Sequence, residues 1–512
     1  MLDADVVVVG SGCTGGWASK VLTEAGCRVI LLEAGRTLDA QDRPDRWYQD
    51  GDRRPAKDTS RHPVQKNHPA FCDANRALWI DDIDHPYVTD PQQPFVWIRA
   101  RARGGRSNLW GGQCWRLTDH ELNAPRADAF GESWPLDAAS LRPHYEEVEA
   151  FQRVSGQRDD DPDMPDQIVD GNAHLTAAER RLVADLRAAG LRAPIAARSA
   201  SDDREDDGWP RFSSLGSTLP AAQRTGRLHV IGDATVTHLT VDSGGRQVHA
   251  AHYLDAAGNE RRIRARAFVL CASTIETTRI LLQSRNPRHP DGLGNGSGAL
   301  GRYLMDHIGT VAIGRVPVDG DAPATFFGGR HGLYFPRQRD TAAVPSFRRS
   351  YGCWLSLGRD LGHGQNAIVT AIGEMLPYAE NRVVLDSARV DRHGLPVPRI
   401  SCREHDNERA MRKHQHARVG ELARLAGIEL ALGPNDVALG ALVHEVGTAR
   451  MGADPTTSYC NAVAQSWEVP NLFVPDGACW TTSAYQNPTL TMMAMSVRCS
   501  RFIAGRLLPP GA

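Results

Sequence analysis

Residues 5–33 read DVVVVGSGCTGGWASKVLTEAGCRVILLE, and this stretch decides the fold class. The β-branched run at 5–9 predicts a strand that is buried on both faces, as in a parallel sheet. A glycine-rich turn follows, and residues 14–25 predict a helix that Gly26 ends. Residues 27–32 predict a second strand. A strand, a helix and a second strand in this order form one βαβ unit of a doubly wound sheet.

The glycine-rich turn carries the spacing G-x-G-x-x-G at Gly10, Gly12 and Gly15. The first glycine permits the tight turn, the second lets the backbone approach a pyrophosphate, and the third lets the helix pack closely on the strand. Cys13 and Thr14 begin the helix, whose free N–H groups attract phosphate. The turn therefore predicts a dinucleotide site.

Glu33 ends the second strand, where a carboxylate can bind ribose hydroxyls. An acid at this position, in place of an arginine, argues against NADP. The βαβ unit alone leaves NAD and FAD both open.

Composition excludes several classes of protein. Of 512 residues, 41% are hydrophobic and 23% charged, and the net charge is -2, so we expect a soluble protein that binds no nucleic acid. No apolar run is long enough for a membrane segment, and the N-terminus lacks the pattern of a signal peptide, so we expect a cytoplasmic protein. The ten cysteines include no C-x-x-C, and His414 and His416 diverge on a predicted helix, so no metal is expected.

The rest of the chain alternates strand-rich blocks with helices. Residues 228–270 and 308–400 have the two-residue period of strands, and 472–474 form a short strand. Hydrophobic spacing predicts helices at 140–154, 175–190, 275–284, 404–426 and 489–507. The two separated strand-rich blocks indicate two interleaved domains.

Three further segments carry recognisable motifs. Residues 104–112 read GGRSNLWGG, residues 272–282 read ASTIETTRILL, and the C-terminal part contains HEVGT at 444–448, PDG at 475–477 and QNPTLT at 486–491. Together with the N-terminal turn, in this order, they resemble the glucose–methanol–choline (GMC) oxidoreductase family. The resemblance runs from residue 5 to about residue 505. The segments 65–115 and 134–135 look most similar to bacterial sugar-type, FAD-dependent members.

The resemblance implies an α/β fold. A doubly wound FAD-binding domain, similar to that of glutathione reductase, would be interleaved with an α+β substrate domain on an antiparallel sheet. The implied FAD-binding domain comprises residues 1–40, 85–150, 225–310 and 440–512. The implied substrate or cap domain comprises residues 41–84, 151–224 and 311–439.

The resemblance also implies a set of FAD contacts. The residues at matching positions are Gly10, Gly12, Cys13, Thr14, Gly15, Glu33, Ala34, Arg103, Gly104, Gly105, Ser107, Asn108, Gly111, Gly112, Val236, Ala272, Ser273, Asp476, Gly477, Asn487, Pro488 and Thr489. Some sugar oxidases of the family carry a histidine in the segment matching 107–110 that bonds covalently to FAD. This segment reads SNLW here, so we expect non-covalent FAD.

His444 and Asn487 fall where the family has its catalytic pair. A histidine suits the role of a base because its pKa lies near neutrality, and the Asn487 amide can hold the substrate oxygen. The alternatives are a buried structural histidine and an ordinary turn asparagine. The motifs around both residues favour catalysis. Glu374 lies on a predicted strand, where carboxylates more often face solvent than a pocket, so we expect it outside the site.

These inferences predict oxidation of a hydroxyl of a sugar, glycoside or sugar-like metabolite to a carbonyl, with hydride transfer to flavin. Four alternatives stay open: a non-sugar alcohol as substrate, a redox-neutral flavoprotein lyase of the same family, an NAD-linked enzyme, and a non-catalytic subunit. The electron acceptor (oxygen, quinone or another), an accessory electron-transfer subunit and assembly into a homo-oligomer are not decided by the sequence.

Overall fold

The computed structural model describes residues 3–39, 42–43, 56–171, 175–204, 208–317, 332–358 and 365–509. Their helices are α1 (Cys13–Glu24), α2 (Asp119–Leu122), α3 (Ala124–Asp128), α4 (Ala138–Gln152), α5 (Ala177–Ala188), α6 (Thr218–Arg224), α7 (Thr274–Gln283), α8 (Asp406–Leu425) and α9 (Thr489–Leu507). Their strands are β1 (Val6–Val9), β2 (Val29–Leu32), β3 (Val88–Thr89), β4 (Ile195–Ala196), β5 (Leu228–Ile231), β6 (Thr235–Val241), β7 (Val248–Leu254), β8 (Glu260–Ile263), β9 (Ala267–Leu270), β10 (His307–Arg315), β11 (Leu333–Gln338), β12 (Tyr351–Leu357), β13 (Ala367–Glu374), β14 (Arg382–Val390), β15 (Pro396–Ser401), β16 (Glu429–Val437) and β17 (Leu472–Phe473).

A parallel sheet in the order β17-β9-β1-β2-β5 forms the nucleotide-binding half. The valines of β1 are all buried, because helices cover the sheet as in other parallel sheets. Helix α1 packs against α6 and α9. The predicted βαβ unit and the predicted α/β fold class are confirmed.

The strand-rich block at 228–270 is divided between two sheets. Its outer strands, β5 and β9, belong to the parallel sheet, whereas β6, β7 and β8 pair with one another as an antiparallel meander. Alternating hydrophobicity predicts that a segment is a strand, but it does not tell which strand is its neighbour. The sequence therefore predicted the strands of this block without their division.

An antiparallel sheet in the order β16-β10-β13-β12-β11-β4 forms the second half. Its two edge strands, β4 and β16, lie outside the block at 308–400 in which strands were expected. Strand β16 is largely exposed and lacks an apolar alternation, so its sequence gives little strand signal. Helices α5 and α8 supply Leu182, Leu186, Met411 and Val419 to the core on one face of this sheet.

The domain ranges stay a prediction, and the sheets cross them at two places. Strand β10 begins at His307, inside the range assigned to the FAD-binding domain, although it belongs to the antiparallel sheet. Strand β3 pairs with β15, which lies in the range assigned to the substrate domain. Parts of the ranges 41–84, 151–224 and 311–439 lie outside the described residues.

All ten cysteines are free thiols. Within the described ranges, no helix is long and apolar enough to span a bilayer. The cytoplasmic location stays a prediction.

Candidate nucleotide site and catalytic pair

Two glycines of the N-terminal turn are required by packing within the protein. Gly10 has a φ of +94°, and a Cβ there would lie 2.3 Å from the carbonyl oxygen of Cys271, directly after the neighbouring strand β9. A Cβ on Gly15 would lie 1.7 Å from the carbonyl oxygen of Gly10. Gly10 therefore lets the turn approach the end of β9, and Gly15 lets helix α1 approach the turn.

Gly12 is different, because the protein itself does not fill the space beside it. An added Cβ would have no protein atom nearer than the Gly104 carbonyl oxygen, 3.9 Å away. A Cβ on Gly105 would approach only Gly12, with its Cα 3.6 Å away. Gly12 also precedes α1 without a side-chain cap. The free N–H groups of the helix thus meet two bare backbone segments, an arrangement that fits a pyrophosphate.

Glu33 is buried and is held in place by the turn. Its carboxylate accepts hydrogen bonds from the N–H groups of Ser11 and Gly35, at 2.9 and 2.6 Å, and from the Ser11 hydroxyl. The same hydroxyl oxygen accepts the N–H of Gly104 at 2.8 Å. Arg103, next to Gly104, has a buried Nε with no partner among the described residues. The Glu33 carboxylate as an acceptor and the Arg103 guanidinium as a donor fit the ribose and the phosphates of the ADP half of FAD.

The side chains of Ser107 and Asn108 are used within the protein. The Ser107 hydroxyl donates to Gly104 and accepts the N–H of Ser214, at 2.6 and 3.0 Å. Asn108 accepts from Ser213 at 2.6 Å. These two residues therefore fix the loop, so their predicted contact with FAD would have to come from the backbone.

The backbone of the neighbouring Gly111 and Gly112 is free of side chains that would block such a contact. A Cβ on Gly111 would meet nothing within 4 Å, and Gly112 has a φ of +70°. Trp110 is half-buried and donates from its indole nitrogen to Phe212 at 3.1 Å.

The segment at 272–282 joins the C-terminal motif PDG. Ser273 has a φ of +76° and follows the half-buried Ala272. Asp476 accepts from the Thr277 hydroxyl at 2.6 Å, and burial raises its pKa to about 6. A Cβ on Gly477 would lie 2.5 Å from the Thr274 hydroxyl. The predicted residues around 273 and 476 are thus adjacent in space.

The remaining predicted contacts lie at the ends of the site. The Val236 carbonyl accepts from Arg279 at 3.1 Å. Ala34 is half-buried directly after Glu33. Pro488 precedes α9 without a side-chain cap, so the positive end of that helix lies beside Asn487.

His444 is the centre of a chain of hydrogen bonds. Its Nδ1 lies 2.9 Å from Nδ1 of His307, and its Nε2 lies 3.4 Å from Nδ2 of Asn487. Nε2 of His307 lies 3.0 and 3.3 Å from the carbonyl oxygens of Ala484 and Ser483. The structure therefore brings together the two residues that the sequence predicted as the catalytic pair.

The chain assigns the protons of both rings. Carbonyl oxygens only accept, so Nε2 of His307 carries hydrogen and its Nδ1 accepts. The Nδ1 of His444 must then be the donor between the two rings, which leaves the lone pair on its Nε2. Burial, His307 and Arg106 hold the pKa of His444 well below its usual range, and burial lowers that of His307 to about 4. At neutral pH, His444 is a neutral base whose Nε2 is the accepting atom.

Three residues that sequence analysis missed support this base. Asp306 accepts the N–H groups of His444 and Gly440, at 3.0 and 2.7 Å, and burial together with Glu445 raises its pKa to about 7. Arg106 donates to Glu445 at 2.8 Å and to Ser273 at 2.9 Å. Arg106 was visible inside the motif GGRSNLWGG, whereas nothing in the local sequence singled out Asp306 and His307.

Glu374 was expected outside the site, at a solvent-facing position, and the solvent-facing part of that expectation is wrong. Its side chain is buried and accepts from Arg349 at 2.6 Å. Burial raises its pKa to about 7 despite the arginine. Arg349 also donates to Asp128. The carboxylate is therefore part of a buried ion-pair network and not of the hydrogen-bond chain of His444.

The histidines outside the site show no preformed metal centre in the described residues. His414 bonds to Tyr351 and His416 to Asp436, each at 2.7 Å, so the two diverge as predicted. His238 and His252 lie near Glu260, but their rings are stacked with planes 16° apart. An imidazole binds a metal in its own plane, so two nearly parallel rings cannot share an ion in this arrangement.

Known proteins can now be compared with this chain. Residues 377–496 match the family model described as GMC oxidoreductase. A 2-methyl-1,2-propanediol dehydrogenase of Mycolicibacterium austroafricanum is 28% identical over 98% of this chain and 95% of its own length. The fructose dehydrogenase large subunit of Gluconobacter japonicus is 25% identical over 99% and 98%. The paromamine 6'-oxidase of Streptomyces fradiae is 26% identical over 98% and 92%.

The chain thus resembles the GMC oxidoreductase family, through the family model over residues 377–496 and through relatives that align over 98–99% of its length.

Solved structures agree with this GMC fold. A pyridoxine 4-oxidase from Mesorbium loti superposes with a TM-score of 0.64 at 18% identity, covering 98% of this chain and 99% of that one. An Aspergillus oryzae formate oxidase gives 0.66 at 16% identity, covering 98% of each chain. At these identities the likeness concerns the fold.

These comparisons make the protein an oxidoreductase, and GMC oxidoreductases depend on FAD. The backbone slot beside Gly12, the Glu33 carboxylate and the Arg103 guanidinium fit that cofactor. The likeness to these oxidoreductases also sets aside the alternative of an NAD-linked enzyme.

Proposed function

We propose that this GMC oxidoreductase oxidises a hydroxyl-bearing carbon of an alcohol, a sugar or a glycoside to a carbonyl, with His444 as the base. The observation that carries the proposal is the hydrogen-bond chain that leaves the lone pair of His444 on Nε2, beside Asn487. Bound FAD supplies the hydride acceptor. We also propose that FAD is held without a covalent bond, since the segment 107–110 contains no histidine.

His444 and Asn487 divide the work on the substrate. Nε2 of His444 takes the hydroxyl proton while Nδ1 keeps its hydrogen bond to His307. The resulting imidazolium is disfavoured by burial and by Arg106, so the proton is readily passed on after the reaction. The Asn487 amide can hold the substrate oxygen and fix the reacting carbon. The positive end of α9, beside Asn487, favours negative charge at this place.

The relatives support this class of reaction. Their names cover 2-methyl-1,2-propanediol, fructose and paromamine, with two dehydrogenases and one oxidase. A sugar, glycoside or sugar-like substrate, as expected from the sequence, lies within this range, and so does a non-sugar alcohol. The relatives therefore agree in the oxidation of a hydroxyl-bearing carbon and differ in the rest of the substrate molecule.

Anaerobic flavin reduction tests the proposal. Substrate should bleach the flavin absorbance of the holoenzyme, and His444→Ala should slow this step by about 10²- to 10⁴-fold, the usual cost of losing a general base. FAD content should be unchanged. His416→Ala is a matched control, because His416 is an outer histidine of α8 that bonds to Asp436.

An unchanged reduction rate in His444→Ala would remove this residue from the mechanism. Flavin that is bound but never bleached by any alcohol would instead favour the redox-neutral lyase. Denaturation with acid should release the FAD into the supernatant, and retention on the protein would contradict the non-covalent proposal.

A further inference from the structure

The side chains of β10 alternate between two environments. His307 reaches His444, whereas Thr310 donates to Gln415 on α8 at 3.1 Å. Successive residues of a strand point to opposite faces. Gly309, Val311 and Ile313 therefore lie on the face that carries His307, and the other face packs on α8.

Strand register extends this face across the antiparallel sheet. Val311 pairs with Thr370 of β13, and Thr370 pairs with Trp354 of β12. One row nearer to His307, Gly309 pairs with Ile372, and one row farther, Ile313 pairs with Ile368. We call this surface the His307 face; its side chains are those of Val311, Ile313, Ile368, Thr370, Ile372 and Trp354.

The His307 face is apolar and incompletely covered. Val311, Ile313, Thr370, Ile372 and Trp354 are half-buried, as are His444 and Asn487. On the opposite face, by contrast, Ile308, Ala312, Val369 and Ala371 are fully buried against the helices. Two polar groups stand among the six side chains of the His307 face, the Thr370 hydroxyl and the Trp354 indole N–H. Glu374, which continues the face beside His307, is occupied by Arg349.

This chemistry suits one kind of substrate body. A polyhydroxylated ring brings several hydroxyl groups, each of which loses binding when it leaves water without a hydrogen-bond partner. The six side chains of the His307 face offer two polar groups for this purpose. An apolar body gains about fourfold in binding for each methylene that it buries. From His307 to Val311 the strand extends four residues, about 14 Å at 3.4 Å per residue. A Cβ on Gly309, between them, would lie 2.8 Å from the Leu442 side chain, which adds one more apolar group beside this row.

We propose that the alcohol oxidised by this enzyme carries its CH–OH on an apolar body, aliphatic or aromatic, that lies along the His307 face. The inference rests on the proposed function and narrows its substrate class. The reaction is unchanged: the carbinol carbon loses a hydride to FAD, the hydroxyl proton passes to Nε2 of His444, and a ketone or aldehyde is formed.

A matched substrate series tests the inference with the FAD-loaded enzyme. We expect kcat/KM for anaerobic flavin reduction to rise about fourfold per methylene from C3 to C6, in 1-alkanols or in 2-alkanols. Cyclohexanol should exceed inositol, and phenyl glucoside should exceed glucose, by at least about 100-fold. Tertiary 2-methyl-2-alkanols have no carbinol hydrogen, so they report binding alone. Their inhibition constants should fall by the same factor per methylene.

Two variants with opposite expected effects test whether the dependence on chain length arises at the His307 face. Val311→Thr keeps the branched shape but adds a hydroxyl, so the dependence on chain length should weaken. Thr370→Val removes one of the two polar groups, so the dependence should steepen. Ile308→Val, on the opposite face, is the control and should leave the dependence unchanged.

Glucose or inositol as preferred substrates, with a flat alkanol series, would overturn the inference and leave the proposed function intact. A chain-length effect that neither Val311→Thr nor Thr370→Val changes would overturn the assignment to this face. If no alcohol of either set reduced the flavin, both proposals would fail together.

Discussion

The imidazole of His307 has one nitrogen on two backbone carbonyls and the other on His444. The backbone therefore determines the tautomer of His307, and His307 determines that of His444. Burial keeps both rings neutral, since it lowers the pKa of each. The basic atom of the site is thus fixed by a residue that we do not expect to touch the substrate.

Substitution of His307 by asparagine or by glutamine tests its two hydrogen bonds one at a time. His307→Asn places an oxygen near the position of Nδ1 and can still accept from His444. His307→Gln places a nitrogen near Nε2 and keeps mainly the bond to the carbonyls. We expect flavin reduction to stay within a few-fold of wild type in His307→Asn and to slow by about 5- to 150-fold in His307→Gln, the equivalent of about 1–3 kcal/mol for an unpaired buried donor.

Stopped-flow reduction over a range of pH checks this prediction. The low pKa of His444 implies that the wild-type rate should stay constant down to well below pH 6.5, because the neutral base persists until the pH falls through that pKa. In His307→Gln the acidic limb should shift. Equal slowing in both variants, without a shift of the pH profile, would indicate a merely structural role.

Among single residues, the sequence predicted functional positions only where they stand in a recognisable motif. His444 and Asn487 were predicted because both stand in recognisable segments. His307 was not, because it is separated from His444 by 137 positions and its local sequence is that of an ordinary strand start. The apolar His307 face was equally invisible, since it depends on the register of three strands.

The turn between β1 and α1 shows how one element serves both folding and binding. Gly15 is required by the protein itself, since a Cβ would lie 1.7 Å from the Gly10 carbonyl oxygen. Gly12 has an extended backbone that any residue can adopt, with φ -66° and ψ -161°. Neither the backbone conformation nor the packing of the protein requires a glycine there, so we attribute it to the approach of the cofactor. Alanine substitutions at the two positions should therefore have different consequences.

We expect Gly12→Ala to fold with an unfolding midpoint close to that of wild-type apoprotein, but to bind FAD more weakly by about 1–3 kcal/mol, the usual cost of overpacking. Gly15→Ala should lose stability without FAD as well. Thermal unfolding with and without added FAD checks both, because the stabilisation by a ligand rises with the logarithm of its affinity. A full FAD-induced shift in Gly12→Ala would contradict the assignment of this slot to the pyrophosphate.

Elements were predictable from sequence where one periodicity dominates. The βαβ unit and the helix at 489–507 agree with β1, α1, β2 and α9 to within a few residues, because buried strands and amphipathic helices leave strong patterns. Strand β16 was missed, since it is an exposed edge strand whose pairing with β10 is a tertiary property. The division of 228–270 between two sheets was missed for the same reason.

At the scale of the molecule, the proposed catalytic base lies where the two halves meet. His307 begins a strand of the antiparallel sheet, and its partners precede α9, which packs on α1 of the parallel half. Arg349 makes a second connection, because it joins Glu374 of β13 to Asp128 of α3. The arginine and Glu374 are almost fully buried. Breaking such a network by removing one partner is costly, since the remaining charges stay buried.

Arg349→Leu should therefore lower the unfolding free energy by about 3–5 kcal/mol at pH 8, and by less at pH 5. The pKa of Glu374 is already raised to about 7 in the folded protein, and losing Arg349 would raise it further. A carboxyl with a raised folded pKa stabilises the folded state below its unfolded value of 4.5, and that stabilisation is lost as the pH rises through the folded pKa. The folded variant thus keeps a neutral Glu374 at pH 5 but has to bury an unpaired charge at pH 8.

Denaturant unfolding at the two pH values checks this prediction, with Arg409→Leu as the control. Arg409 is an exposed partner of Asp406 on α8, so its removal should change stability by no more than about 0.5 kcal/mol at either pH. Arg349→Lys keeps a charge and should fall between the two. An equal loss at pH 5 and pH 8 in Arg349→Leu would mean that packing around Arg349, and not the charge of Glu374, holds the two halves together at this point.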